Sequence, residues 1–307
     1  MFADAIKLVS QFTKHLIIFQ RDLNGDVTGR VGTFIILNKD GWCLTAAHLL
    51  KPIPDFAAKK EKADEYYRRR DAIAADPKLQ PNVRQRRLGQ LPKPADALTH
   101  QLYTWNFQVA PGFHVKADPF RDLALVQLQP EIAANIDTFP TFRNPELELQ
   151  PGTSLCRFGF PFPEIDAKFH EAENRFELTD HSQIVPFPNE GIMTRNIRLT
   201  SPDGTLQGDY LETSSPGLPG QSGGPIFDRF GTICGLQSRT LHLPLGFALD
   251  PADSAKIHNK GIDAQFMNVG IGPNSKTIVP FLEKHKIMVN IAPVLRDVSG
   301  NKDGAAA

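Results

Sequence analysis

Residues 220–225 read Gly220-Gln221-Ser222-Gly223-Gly224-Pro225, and this string says more about the chemistry of the chain than any other. A serine between glycines on a tight turn has an uncrowded hydroxyl, and glycines let successive backbone N–H groups converge on one point. Converging N–H groups are what a developing oxyanion needs. The string also fits an ordinary glycine-rich turn, so its interpretation depends on a base and a carboxylate elsewhere in the chain.

Two other segments supply a base and a carboxylate. His48 follows Ala46 and Ala47, whose small side chains leave room around the imidazole. Asp122 precedes the apolar run 123–128, where burying a carboxylate is costly unless an imidazole N–H or another donor satisfies it. A hydroxyl, a base and an orienting carboxylate complete the requirement for acyl transfer by serine. The alternative for position 48 is a satisfied structural histidine.

Length and composition limit the other possibilities. The chain has 307 residues, of which 34 are basic, 34 are acidic and 41% are hydrophobic, so disorder along the whole chain is excluded. The formal net charge of zero provides no global field for nucleic acid or an anionic membrane. With 23 glycines, 25 prolines and 21 phenylalanines, the composition favours short strands joined by turns.

Cysteine usage and hydropathy predict a cytoplasmic protein. The three cysteines, Cys43, Cys156 and Cys234, are an odd number spread far apart, which is unlike a disulfide scaffold or a zinc site. The N-terminal segment has charged residues where a signal peptide would be apolar, and no apolar run is long enough to span a membrane. No metalloprotease, P-loop or dinucleotide motif is present, so neither a metal nor a cofactor is expected.

The periodicity of apolar residues divides the chain into segments. Helical spacing over residues 2–13 predicts an N-terminal helix, and a helix beginning with Ser275 as its cap is expected to close the fold. We expect an N-terminal helix over 1–14, a first β-barrel over 15–140, a second barrel with the closing helix over 141–290 and a tail over 291–307. A charged helical arm is expected as an insertion at about residues 52–100.

The predicted arm carries a strong local charge. Residues 59–87 contain ten basic and five acidic residues, a net charge of +5, with a break expected near Asp76-Pro77. A solvated helical arm is the simplest interpretation, and a docking surface for a regulatory protein is a further hypothesis. A nucleic-acid surface is disfavoured because no aromatic interleaving accompanies the charge.

Three motifs together resemble a known family. TAAH at 45–48, DLALVQL at 122–128 and GQSGGP at 220–225 resemble the trypsin/chymotrypsin-like serine peptidases in the order of that family's own motifs. Residues 32–50 and 211–238 look most like the bacterial high-temperature-requirement-A type. The resemblance implies an all-β fold of two six-stranded antiparallel barrels, with the active site in the cleft between them. The N-terminal helix and the arm lie outside it.

The resemblance also implies a role for each matching residue. Ser222 would attack the scissile carbonyl, His48 would be the general base and then acid, and Asp122 would orient the imidazole. The implied oxyanion hole and substrate-binding walls comprise Gly220, Gln221 and Ser222, then Pro216, Leu218, Gln237 and Ser238. The implied function is a cofactor-free serine endopeptidase acting on polypeptides. A catalytically silent binding module is the main alternative, and an enzyme gated by a partner is another.

Departures from the family pattern matter as well. Gln221 stands where activated digestive enzymes have an aspartate that pairs with a new N-terminus, so activation by that route is not expected. His48 and Asp122 are 74 residues apart, about 29 more than in the chymotrypsin order, and the arm accounts for that excess. Other polar residues have weaker claims: His114, His170 and His181 are expected to be surface histidines. Ser214 and Ser215 are alternative hydroxyls near Ser222, but they lack the flanking glycines of an oxyanion site.

Overall fold

The structure is a computed structural model that describes residues 2–110, 112–162, 165–180, 184–201, 203–244 and 266–293. The helices are α1 Ala3–Phe12, α2 Ala47–Leu50, α3 Pro52–Ala75, α4 Pro81–Gly89 and α5 Ser275–Lys284, with a 3-10 turn at Pro130–Ala133. The strands are β1 Thr13–Asp22, β2 Val27–Ile36, β3 Trp42–Thr45, β4 Leu98–Trp105, β5 Gln108–Val109, β6 His114–Asp118, β7 Leu123–Gln127, β8 Thr141–Phe142, β9 Ser154–Gly159, β10 Ala167–His170, β11 Arg175–Leu178, β12 Phe187–Thr200, β13 Leu206–Thr213, β14 Pro225–Phe227, β15 Ile233–Leu236, β16 Arg239–Pro244, β17 Phe266–Pro273 and β18 Asn290–Ile291.

The first sheet is built from the N-terminal half of the chain. Its strand order is β5-β4-β1-β2-β3-β7-β6. The β1–β2 hairpin turns at Gly25, which has φ +91°, and the carboxylate of Asp22 accepts the N–H groups of Asn24 and Asp26 at 2.8 and 3.0 Å. Glycine adopts this left-handed conformation without steric cost, which explains the Asn-Gly turn signal. Strand β3 then pairs antiparallel with β7, with Thr45 opposite Ala124.

The second sheet is larger and curls through the C-terminal half. Its order is β16-β17-β13-β12-β9-β14-β15-β8-β18, and β10 and β11 form a separate two-stranded ribbon. Strand β12 pairs with both β9 and β13, with irregular register at Met193/Arg195 and Leu199/Thr200. The two-residue strands β8 and β18 join the edge in parallel.

The observed architecture confirms the all-β, chymotrypsin-like double-barrel class with a few helices. Within the described residues, the sheets contain seven and nine strands rather than six each; without the two-residue edge strands β5, β8 and β18 they contain six and seven. One apolar core cluster includes buried side chains of both sheets, such as Phe34 and Phe227. Helix α1 closes one side of this core, where Phe2 meets Phe227 edge to face at 6.1 Å.

The charged segment is helical and projects from the first sheet. Helix α3 begins two residues after α2 and contacts β4, and its one buried side chain is Ala63. Helix α4 follows a break at residues 76–80 and buries no side chain. Such exposure matches a segment that has few apolar residues.

Helix α5 corrects one expectation about capping. Its N-cap is Asn274, whose Oδ1 accepts the N–H of Lys276 at 3.1 Å, whereas Ser275 is the first helical residue and is buried. Asn274 has the extended backbone that a cap needs, and Ser275 is already helical. None of the described helices combines the length and apolar character that crossing a lipid bilayer requires.

Candidate active site

The pairing of β3 with β7 brings a histidine and an aspartate together. His48 follows the end of β3 and Asp122 immediately precedes β7, so both lie at the same end of two neighbouring antiparallel strands. His48 Nδ1 lies 2.9 Å from Oδ2 and 3.1 Å from Oδ1 of Asp122, and the His48 backbone N–H donates to Oδ1 at 2.9 Å. The contact leaves the other ring nitrogen, Nε2, for proton exchange with a reacting group.

Asp122 is held in an unusual backbone conformation. Its φ is +57°, in the left-handed region that costs most residues other than glycine about 1 kcal/mol or more. Its carbonyl oxygen accepts the N–H of Ala47 at 3.3 Å, so the same residue is tied to the His48 segment through both backbone and side chain. Backbone strain of this kind is often retained where a side chain must point in one direction.

The Asp122 carboxylate is also linked to the second sheet. The Ser238 hydroxyl donates a hydrogen bond to Oδ2 of Asp122, and Ser238 directly precedes β16. Burial opposes ionisation here, but the hydrogen bonds from His48 and Ser238 outweigh it and hold the pKa of the Asp122 carboxyl below its ordinary value. The carboxylate therefore stays ionised against the imidazole.

Ser222 lies on a glycine-rich turn between the two sheets. Its carbonyl oxygen accepts the N–H of Thr33 in β2 at 2.8 Å, and the Thr33 hydroxyl donates to the Gly220 carbonyl oxygen at 2.7 Å. Gly223 has φ +81°, and a Cβ there would lie 2.2 Å from the Thr33 carbonyl oxygen. Glycine is therefore required where the turn crosses the first sheet, and Thr33 fixes the turn from that side.

The same turn presents two unused donors. Within the described residues, neither the Gly220 N–H nor the Ser222 N–H has a protein acceptor, whereas the Gln221 N–H donates to Leu218 O at 2.9 Å. Two backbone N–H groups on either side of one residue form the kind of anion-binding concavity that stabilises a tetrahedral oxyanion.

The Ser222 hydroxyl is half-buried and donates to the Ser238 carbonyl oxygen at 3.4 Å. Among the described residues, no hydrogen bond joins the Ser222 hydroxyl to His48. Bonds between nucleophile and base are commonly long in unliganded sites and tighten with substrate. Ser238 thus contacts Asp122 through its hydroxyl and Ser222 through its carbonyl.

The residues expected to form the substrate walls lie on either side of Ser222. Pro216 and Leu218 are half-buried in the preceding loop, while Gln237 and Ser238 are buried after β15. A hydrogen bond joins the two segments that carry these residues, because the hydroxyl of Thr240 donates to the Gly217 carbonyl oxygen at 2.6 Å.

A buried arginine that the sequence reasoning missed anchors this loop. Arg157 in β9 is 1% exposed and donates to Ser215 O and Ser215 Oγ at 2.7 Å and to Pro216 O at 3.2 Å. Burial lowers the pKa of the Arg157 guanidinium to about 10. The sequence shows only a charged residue inside an otherwise apolar strand. It does not indicate the acceptor, because Ser215 lies 58 residues farther along the chain.

The weaker polar candidates have other partners. Ser214 Oγ accepts the N–H of Ile192 at 3.0 Å, and Ser215 Oγ accepts from Arg157. His170 pairs with Glu177, and His114 is exposed at the start of β6. His181 lies outside the described residues. Among the described residues, no cluster of three or more His, Cys, Asp or Glu side chains is arranged to hold a metal ion.

Comparison with known sequences identifies the family. The model of the trypsin-like peptidase domain matches residues 32–236, a span that includes His48, Asp122 and Ser222. The chain belongs to the trypsin-like peptidase family. No curated protein matches it in sequence.

Solved structures similar to this trypsin-like peptidase include two proteases. The HtrA-type protease AlgW with tripeptide is 12% identical, with a TM-score of 0.46, and the match covers 94% of this chain and 64% of AlgW. The Rv3671c protease from M. tuberculosis in its active form is 11% identical, with a TM-score of 0.47, and the match covers 94% of this chain and 86% of that one. The chain therefore spans less than two thirds of the length of AlgW.

Proposed function

We propose that this trypsin-like peptidase is a serine endopeptidase that cleaves polypeptides through Ser222, His48 and Asp122. The observation that carries the proposal is that Ser238 bonds both to Asp122, the carboxylate that holds the His48 imidazole, and to Ser222, whose turn offers two unused N–H groups. Family membership makes a peptide bond the natural substrate.

The proposed reaction proceeds through an acyl-enzyme. Ser222 Oγ bonds to the scissile carbonyl carbon as His48 Nε2 takes the hydroxyl proton, and the carbonyl oxygen becomes an oxyanion bound by the N–H groups of Gly220 and Ser222. The C–N bond then breaks as His48 gives that proton to the leaving amine. Water, deprotonated by His48, attacks the ester carbonyl carbon, and the C–O bond to Ser222 then breaks as His48 returns that proton to Ser222 Oγ and the acid is released. Asp122 remains ionised and stabilises the imidazolium throughout.

Cleavage of an unfolded protein tests this proposal. We expect the purified chain to fragment reduced, alkylated casein into peptides whose new termini can be mapped by mass spectrometry. The Ser222→Ala variant is the matched control because it removes one oxygen from a half-buried position and leaves the turn bonds intact. Intact casein with well-folded wild-type chain would refute the proposal and favour a silent binding module. Equal fragmentation by Ser222→Ala would refute Ser222 as the nucleophile.

We further propose that the helical arm controls which folded proteins reach the cleft. Helix α3 begins four residues after His48, and the first-turn carbonyl of Pro52 accepts Gln101 Nε2 of β4 at 3.3 Å, so the root of the arm is fixed beside the base. Four of its basic residues pair with carboxylates: Lys60, Lys62, Arg68 and Arg70. Arg69, Arg86 and Arg87 are exposed and give the arm a cationic surface suited to an acidic protein, whether substrate or regulator.

Charge reversal of the arm tests this second role. In a variant combining Arg69→Glu, Arg86→Glu and Arg87→Glu, we expect slower cleavage of a folded acidic protein and unchanged cleavage of a short uncharged peptide. The difference should shrink as salt is added, because exposed charges are screened. Equal effects on both substrates, or no effect on either, would overturn the role. Salt-sensitive retention of the chain on nucleic acid would instead support a nucleic-acid surface.

Finally, we propose that the protein works in the cytoplasm. Cys43, Cys156 and Cys234 are free and buried, and burial raises the pKa of the Cys156 thiol to about 11 and that of Cys234 to about 12. Buried cysteines that stay protonated and form no disulfide are typical of proteins in a reducing compartment. Fractionation of the native cells with an antibody to the chain tests this, and recovery mainly outside the cytoplasmic fraction would refute it.

A further inference from the structure

The turn before Ser222 determines where one of the oxyanion donors points. Gln221 N–H donates to Leu218 O at 2.9 Å, Pro219 is the second residue of this four-residue turn, and Gly220 has φ +99° at the third position. Proline followed by a glycine with positive φ defines a type II turn. In a type I turn the peptide between Pro219 and Gly220 is reversed, so the Gly220 N–H would point away from the site.

The side chain of Gln221 closes the same turn a second time. Its Oε1 accepts the N–H of Leu218 at 3.0 Å, and its Nε2 donates to the carbonyl oxygen of Phe187, the first residue of β12, at 3.2 Å. Gln221 is fully buried. The orientation of the carboxamide follows from its partners, because a reversed amide would oppose N–H to N–H and oxygen to oxygen.

We propose that the Gln221 carboxamide is a positioning residue that keeps the 218–221 turn in its type II form and so keeps the Gly220 N–H aimed at the oxyanion. The inference rests on the proposed peptidase function and adds an ordering device to it. Because the carboxamide is neutral, its two hydrogen bonds persist at every pH at which the chain is folded. No newly cut N-terminus is needed to form these hydrogen bonds. The arm therefore controls access to a site whose oxyanion turn is already ordered.

The groups around the Gln221 side chain make the titration of a carboxyl group placed at this position easy to isolate. Its side chain packs against Gly159 of β9, where a Cβ would lie 3.1 Å from Gln221 Cγ, and is bonded to Leu218 and Phe187. None of these neighbouring groups titrates. Dividing the kcat/KM of each variant by that of the wild type at the same pH cancels the effect of the triad's own titration.

Two substitutions test the proposal, Gln221→Glu and Gln221→Met. The carboxyl group that Gln221→Glu introduces reproduces the donor and acceptor of the amide when it is protonated, whereas its ionised form has only acceptors and repels the Phe187 carbonyl oxygen. We expect kcat/KM of Gln221→Glu relative to wild type to rise steadily as pH falls from about 9 to about 6, since burial favours the protonated form. Gln221→Met should lose kcat by about 10²-fold at every pH, with little change in KM, because the oxyanion contact forms in the transition state.

The outcomes separate this inference from the proposed function. A pH-independent ratio for Gln221→Glu, or wild-type kcat for Gln221→Met, overturns the positioning role while the wild type still cleaves peptides. A folded wild type without turnover overturns the peptidase function instead. If Gln221→Met does not fold, Gln221→Glu still decides, because one polypeptide is compared in its two protonation states.

Discussion

Ser238 donates its hydroxyl to the same Asp122 oxygen, Oδ2, that lies 2.9 Å from His48 Nδ1. This bond joins the second sheet to the carboxylate of the first, and the Ser238 carbonyl oxygen accepts from Ser222 on its other side. The orientation of the base and the position of the nucleophile thus depend on one residue that contacts both halves of the site.

Removing the Ser238 hydroxyl should weaken the stabilisation that ionised Asp122 gives the fold. In Ser238→Ala, Asp122 loses one of the donors that hold its pKa below its ordinary value. A carboxyl group whose pKa is lowered in the folded state adds to the free energy of unfolding at neutral pH. This contribution is lost as the pH falls through the folded-state pKa. A hydrogen bond to a charged group contributes about 1.5–3 kcal/mol, which is the loss in the free energy of unfolding expected at neutral pH. Urea titrations at neutral and acid pH measure this loss, which should shrink as the pH falls, and an equal loss at every pH would refute it.

Asp122→Asn should fold and lose turnover. Asparagine tolerates the left-handed backbone that Asp122 adopts at φ +57°, so the fold should survive. An amide donating to Nδ1 would favour the wrong imidazole tautomer, and kcat should fall about 10⁴-fold. Circular dichroism checks the fold and steady-state kinetics the rate. A loss of less than about tenfold would mean that Asp122 does not orient His48.

Glycine is required at position 220 for two separate reasons, which a matched pair of variants can separate. Gly220 has φ +99°, and a Cβ there would lie 2.3 Å from the Phe160 carbonyl oxygen, whereas Gly152 has φ +90° with nothing within 4 Å. We expect Gly152→Ala to cost about 1–2 kcal/mol in the free energy of unfolding, from backbone strain alone. Gly220→Ala should cost more and abolish turnover. Equal costs in urea titrations would contradict the clash.

The three motifs of the candidate site were easier to recognise in the sequence than the contacts that hold them in place. The three motifs contain short-range signals, such as glycines around Ser222 and small residues before His48, so they could be recognised without a structure. The supports are long-range: Thr33 reaches Gly220 across 187 positions, and Arg157 reaches Ser215 across 58. Nothing in the local sequence of Thr33 or Arg157 indicates those partners, because strand pairing alone creates the contacts.

The strand counts and the helix cap were missed for a similar reason. Two-residue strands such as β5 and β8 form only where a neighbouring edge accepts them, so their sequences contain no periodicity to detect. Asn274 and Ser275 are both good capping residues, and the choice between them depends on where the strand β17 ends.

At position 157, lysine is chemically closer to arginine than methionine is, yet it should destabilise the fold more. Its hydrogen bonds go to the neutral acceptors Ser215 Oγ, Ser215 O and Pro216 O. Lysine keeps the buried charge but has no planar fork for these acceptors, whereas methionine removes the charge and fills similar volume. We expect Arg157→Lys to be less stable than Arg157→Met by about 1–3 kcal/mol in urea unfolding. The reverse order would contradict this account of the loop.

The most direct test of the central claim is the reaction of the folded chain with a fluorophosphonate serine probe. We expect one adduct per chain, located on Ser222 by peptide mass spectrometry, and no adduct on Ser222→Ala or His48→Ala. Wild-type chain that is folded by circular dichroism yet stays unlabelled, or a probe adduct that persists in Ser222→Ala, would contradict a Ser222-His48-Asp122 peptidase.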